Sequence, residues 1–128
     1  MRSGLFVLFA FLLCLPAVSW AMEVEELSLA RGIEQRQPVD VLEVVPADIG
    51  RLYCFTRVTG AQEDTRIAHV WYWQEREMAR VELPVRSSNW RTWSSKRILP
   101  EWTGDWRLVV EDANGLALAE MSFRVEPL

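Results

Sequence analysis

Beyond residue 26 the apolar side chains recur at every second position, a period that admits β-strands and leaves no convincing amphipathic helix. RIAHVWYW (66–73) carries the strongest strand signal, rich in aromatic and β-branched residues. In ARVELPVR (79–86), Val81, Leu83 and Val85 share one face, and Arg80, Glu82 and Arg86 share the other. GDWRLVVED (104–112) sets Trp106, Leu108 and Val110 against Asp105, Arg107 and Glu111. LALAEMSFRV (116–125) turns Met121, Phe123 and Val125 inward, and Asn114-Gly115 before it supplies the positive φ angles of a tight hairpin. RLYCFTRV (51–58), ELSLARGI (26–33) and the weaker WRTWSSKRI (90–98) complete the set. The stretch 35–50 holds Pro38, Pro46 and Gly50 and is expected to be a loop with at most a short edge strand. About seven strands at this spacing predict an all-β, immunoglobulin-like antiparallel β-sandwich. The Cys-Trp-Cys pattern of true immunoglobulin domains is missing, so the likeness is one of architecture.

The N-terminus obeys a different rule. Arg2 precedes the apolar run Leu5–Leu15, Pro16 breaks it, and Ser19 and Ala21 put small residues at −3 and −1 of a cleavage site. This is the layout of a secretory signal peptide over residues 1–21. Eleven apolar residues are too few for a bilayer span, although an uncleaved N-terminal anchor is the competing reading. Lipidation at Cys14 is rejected, because Leu13 stands where a small residue would be needed. Removing residues 1–21 from the 128 leaves 107, residues 22–128, enough for a single domain with its own core. Met22–Glu26 is expected to be a disordered acidic leader. The mature part retains Cys54 alone and can form no internal disulfide, which favours a bacterial envelope compartment over an animal secreted module. The destination expected is periplasmic or otherwise exported.

Charge narrows the partners. The chain has a formal net charge of −4, and losing Arg2 makes it −5, which argues against nucleic acid and anionic membrane. Cations are nearly all arginine, the residue of planar, bidentate and stacked contacts.

Candidate contacts are His69, Trp71, Trp73, Arg91, Trp93, Arg97 and Trp102. His69, Trp71 and Trp73 share one face of their strand and suit a stacking platform for a sugar or aromatic ring, but packing into the core outweighs that reading. His69 is the sole histidine and no short-spaced partner accompanies it, so neither a metal site nor a cofactor is expected. In WRTWSSKR, Arg91, Trp93, Ser95 and Arg97 fall on one face and Trp90, Thr92, Ser94 and Lys96 on the other. Such a face suits an anion or glycan, but stacking on a tryptophan and ordinary cross-strand pairing with carboxylates outweigh that reading. Trp106 belongs to the core, while Trp102, beside Pro100 and Glu101, is the tryptophan expected to be exposed. Ser94 and Ser95 lack the surroundings of a nucleophile, and no catalytic residue is assigned.

Taken in order, HVWYW, WRTWSSKR and GDWRLVVEDANGLALAEMSFRV resemble the signature of a bacterial domain family, domain of unknown function 2914. Its members read, in rough form, H-x-W, R-[TF]-x-S-x-[KR], G-x-W-x-V-x-[VD] and L-x-x-x-x-F-x-V. The resemblance runs from about Arg51 to Val125. It implies a β-sandwich domain of envelope proteins, sometimes fused to a membrane segment, and it implies no activity. The function expected is a non-enzymatic exported module that mediates protein interaction in the cell envelope. The alternative is a glycan or cell-wall polymer binding module using exposed Trp and Arg. The leader reading is checked by N-terminal sequencing of the protein recovered from the envelope of a bacterial host. The expected first residue is Met22, and an intact Met1 start would favour the anchor.

Overall fold

The computed structural model describes residues 3–14 and 21–128. Arg2, Pro16 and Ser19, on which the leader reading leans, lie outside the described residues. Among the described residues no helix is long and apolar enough to cross a membrane.

Among the described residues nine strands form the domain: β1 (Glu23–Glu34), β2 (Gln37–Leu42), β3 (Val44–Pro46), β4 (Gly50–Thr59), β5 (Thr65–Trp73), β6 (Arg76–Val85), β7 (Asn89–Ile98), β8 (Gly104–Asp112) and β9 (Ala117–Glu126). They make a four-stranded sheet, ordered β2-β1-β4-β7, and a five-stranded sheet, ordered β3-β9-β8-β5-β6. Every pairing is antiparallel except β3 with β9. The all-β sandwich expected from the alternation is therefore the fold, with two more strands than expected.

Alternation decides what lies between the sheets. In β5 and β8, Ile67, Trp71, Trp106, Leu108 and Val110 point inward and are buried. They meet Leu29, Leu52, Cys54 and Val58 of the four-stranded sheet. Trp71 and Trp106 are the largest buried side chains, and truncating either to alanine would cost about 3–5 kcal/mol.

Three expectations need correction. Met22–Glu26 is not a disordered leader: β1 begins at Glu23, which pairs with Thr59, and Val24 packs on the apolar cluster around Val58 and Val110. A register shift between Val24 and Glu26 breaks the period of two there, which hides the strand from an alternation test. The stretch 35–50 contains two strands, β2 and β3, both at sheet edges where Pro38 and Pro46 need not donate to a ladder. At Asn114-Gly115 only Gly115 has a positive φ, 83°. The turn is closed by Gly115 N–H donating to the Asp112 carbonyl, and the Asp112 carboxylate accepts from the amides of Asn114 and Leu116.

Two other hairpins use residues without a turn signature. Gln35-Arg36 joins β1 to β2 and Gln74-Glu75 joins β5 to β6, all four with positive φ between 47° and 63°. The two-residue loop with both centres left-handed matches the right-handed twist of the strands it connects.

The first of these hairpins does not continue along its sheet. Ala30 is the last residue of β1 paired to β4, opposite Tyr53, and a straight continuation would carry Glu34 level with residue 49. Instead Arg36 Nη2 donates to the Arg91 carbonyl at 3.4 Å, and its guanidinium lies 5.6 Å from the Trp90 ring centre. The hairpin thus turns back across the sheet, and Ala30 and Phe55, both on the outer side of the ladder, are fully buried.

Left-handed backbone costs an ordinary L-residue about 1 kcal/mol, a strain that glycine escapes. Gln35→Gly is therefore expected to raise the thermal midpoint of unfolding; an unchanged or lower midpoint would show that the Gln35 conformation, φ 50°, is unstrained.

Candidate functional site

His69 stands at the middle of β5, opposite Val81 of β6 and Val110 of β8, so its ring points at the four-stranded sheet. It is completely buried. Nε2 lies 2.6 Å from the Thr56 hydroxyl of β4, and Nδ1 lies 2.6 Å from the Ser94 hydroxyl of β7. In either tautomer the ring N–H donates to one hydroxyl and the bare nitrogen accepts from the other. Burial disfavours the imidazolium and pulls the pKa down to about 4, so the ring is neutral at pH 7. Cys54, also buried, has its thiol pushed well above the usual range by desolvation, with the Thr56 hydrogen bond opposing.

A serine beside a histidine has the outline of a nucleophile and its base. Here the third partner is a threonine in place of a carboxylate, and Ser94 and His69 are both buried between the sheets. The arrangement is a polar tie across an apolar core. No group of three or more His, Cys, Asp or Glu side chains able to hold a metal ion occurs among the described residues.

The tryptophans divide. Trp71 is buried, so it offers nothing to a ligand. Trp73, Trp102 and Trp106 form a triangle with ring centres 6.2–6.4 Å apart, and Trp106 stacks on Phe123 at 5.9 Å. Trp73 Nε1 donates to the Thr103 carbonyl and Trp106 Nε1 to the Trp102 carbonyl, each at 2.9 Å. These bonds clamp the loop between β7 and β8. Lys96 closes the group with its ammonium 4.9 Å from the Trp102 ring centre. Desolvation, and then the charge of Arg51, lowers its pKa. Trp102, expected to be exposed, is half-buried because it is one side of this triangle.

The two outer faces differ in how their charges are satisfied. On the five-stranded sheet Arg66 pairs with Glu82, Arg80 with Glu77 and Glu111, Arg107 with Glu75 and Glu120, and Arg124 with Asp105 and Glu126. The Arg107 guanidinium also lies 4.2 Å from the Tyr72 ring centre, and Ala68, Val70 and Val109 are buried on this side beneath such side chains. Among the described residues Arg76, at the start of β6, and Arg86, just past its end, have no carboxylate partner on this side.

On the four-stranded sheet the one ion pair among the described residues is Arg57 with Glu26. Arg36, Arg51, Arg91 and Arg97 have no carboxylate within 4.0 Å. The β4–β7 register puts Arg51 opposite Arg97, Tyr53 opposite Ser95, Phe55 opposite Trp93 and Arg57 opposite Arg91. Arg51 Nη1 donates to Ser95 Oγ at 2.8 Å. Because Thr92 and Ser94 are buried with His69, the alternate residues Arg91, Trp93, Ser95 and Arg97 must face outward. The result is a cationic, aromatic patch on a domain that is acidic as a whole.

Of the seven candidates, the structure brings Arg91, Trp93 and Arg97 together on this patch. It draws His69 and Trp71 into the core and uses Trp73 and Trp102 to hold a loop. Arg51 and Tyr53 join the patch and were missed. The alternation of RLYCFTRV places Arg51, Tyr53 and Arg57 on one face and was the available signal.

The domain is a β-sandwich whose two outer faces differ in how many of their arginines have carboxylate partners. The family described as Protein of unknown function (DUF2914) matches residues 64–125, which span β5 to β9, and the resemblance read from the motifs stands. The chain matches no curated protein.

The buried imidazole makes stability depend on pH. The folded pKa, about 4, lies below the ordinary 6.5, so the unfolded chain takes up a proton that the folded ring refuses. This contribution is complete above pH 6.5 and is lost as pH falls toward 4, about 3 kcal/mol in all. Urea unfolding of the wild type and of His69→Gln, compared at pH 6.5 and 4, isolates it from the carboxylates. A variant as acid-sensitive as the wild type would remove His69 from the account.

Proposed function

We propose that this is an exported, non-enzymatic β-sandwich that binds another protein of the bacterial cell envelope through the outer face of its four-stranded sheet. The observation that carries the proposal is the patch itself: Arg51, Arg91 and Arg97 lie around Trp93 and Tyr53 without carboxylate partners, while Arg66, Arg80, Arg107 and Arg124 of the opposite face each have one. Guanidinium groups left free beside aromatic rings fit the composition of protein contact surfaces, where Arg, Trp and Tyr supply most of the energy. Export rests on the leader-like N-terminus and the lone buried thiol of the domain. The absence of catalysis rests on the sealed surroundings of His69 and Ser94.

Trp93 and Tyr53, both half-buried on the open side, also suit stacking on an acidic glycan or cell-wall polymer. A photo-reactive residue in place of Trp93 separates the two readings in the envelope of a bacterial host. A discrete protein adduct at Trp93, missing from a probe at Arg80 and lost with Arg97→Glu, is the expected outcome. Adducts with polysaccharide alone would transfer the site to the glycan reading, and adducts at Arg80 but not Trp93 would place the contact on the wrong face.

A further inference from the structure

Among the described residues β7 is the edge of its sheet, paired to β4 on one side and to no strand on the other. Its ladder with β4 runs through ten consecutive pairs, Gly50 with Ile98 to Thr59 with Asn89, without a register shift. Such a strand presents a row of unpaired amides and carbonyls that a protein ordinarily blunts. The other edges are blunted. β2 carries Pro38 and has Asp40 at a φ of 56°; β3 is three residues long and ends on Pro46. β6 carries Pro84, pairs across a register shift, and bears its own Arg80–Glu77 ion pair. β7 has neither proline nor glycine. Three of its carbonyls accept from side chains: Asn89 from Ser87 Oγ at 2.9 Å, Arg91 from Arg36 at 3.4 Å and Arg97 from Lys96 at 3.4 Å, and an added strand has to displace whichever of these bonds lie on its edge.

Its charges select among occupants. Arg91, Lys96 and Arg97 lie in β7 and no acidic residue does. A second copy pairing through the same edge would lay six cations along one two-stranded ribbon, and like charges opposite each other destabilise a ladder. The same charges admit a strand bearing carboxylates and so exclude one partner while favouring another.

We infer that β7 accepts an extended acidic segment of a partner protein as an added strand, its carboxylates meeting Arg91 and Arg97. This rests on the reading that the domain binds an envelope protein, and it specifies how. Arg91 and Arg97 are six residues apart on the same outer side of the strand. The added strand therefore carries acidic side chains six residues apart, with the residues between them on that side passing Trp93 and Ser95.

The probe is a ten-residue peptide of threonine and valine with glutamates at its second and eighth positions. Two controls accompany it: lysines replacing the glutamates, and N-methylation of alternate backbone nitrogens. They are titrated against the domain of residues 22–128, which holds every strand, while amide hydrogen exchange is followed. The glutamate peptide is expected to bind and to slow exchange at alternate amides of β7. Binding should weaken at least tenfold with either control, and with Arg91→Gln or Arg97→Gln in a domain whose circular dichroism is unchanged.

No binding of the glutamate peptide at millimolar concentration would overturn strand addition. So would equal binding of the N-methylated peptide, which would mean that the arginines act without a ladder. Protection of β7 amides in a peptide-free dimer would overturn it in favour of self-association. If the peptide fails while the Trp93 probe still captures a protein in the envelope, the surface stands and only the added strand is lost.

Discussion

The buried imidazole of His69 sets the geometry on which everything else rests. A neutral ring inside an apolar core must satisfy two nitrogens, and the facing sheet offers hydroxyls at Thr56 of β4 and Ser94 of β7, each at 2.6 Å. Leaving either nitrogen unpaired would cost about 1–3 kcal/mol, so the two sheets are held in one relative position more tightly than apolar contacts alone demand. A strand that turns Ser94 inward must turn Ser95 outward, and with it Trp93, Arg91 and Arg97. The candidate surface is thus a geometric consequence of a hydrogen bond on the other side of the same strand.

The two faces resolve the same chemistry differently. Both are rich in arginine. On the five-stranded sheet carboxylates pair with Arg66, Arg80, Arg107 and Arg124, and the stems of such side chains cover Ala68, Val70 and Val109. On the four-stranded sheet the β1–β2 hairpin folds back over Ala30 and Phe55, which shields the apolar part and leaves Arg51, Arg91 and Arg97 beside it without partners. Exposed ion pairs contribute little to stability, so the difference between the faces bears little on folding.

Much of this was legible in the residues. Strands β4 to β9 follow from alternation, because each has one face in the core and one outside it. β1 began earlier than its pattern allows, since the bulge between Val24 and Glu26 shifts the inward position by one. The hairpins at Gln35-Arg36 and Gln74-Glu75 lacked the Asn-Gly or Asp-Gly that usually marks such turns, and tertiary pairing imposed the backbone that local preference resists. At the site, alternation grouped Arg91, Trp93 and Arg97 correctly but left open which side of β7 faces water. That choice depends on a contact with His69, twenty-five residues away in the chain from Ser94, which no local pattern encodes. The same long-range packing removed His69 and Trp71 from the surface and turned Trp73 and Trp102 into a clamp for a loop.

Hydroxyl-radical footprinting reads the central claim directly, because it reports the solvent access of individual aromatic side chains in the purified domain and in the intact envelope. The account predicts that Trp93 and Tyr53 are modified in the isolated protein and protected in the envelope, while Tyr72 on the opposite face reacts alike in both. Equal modification of Trp93 and Tyr53 in both settings, or protection confined to Tyr72, would contradict it.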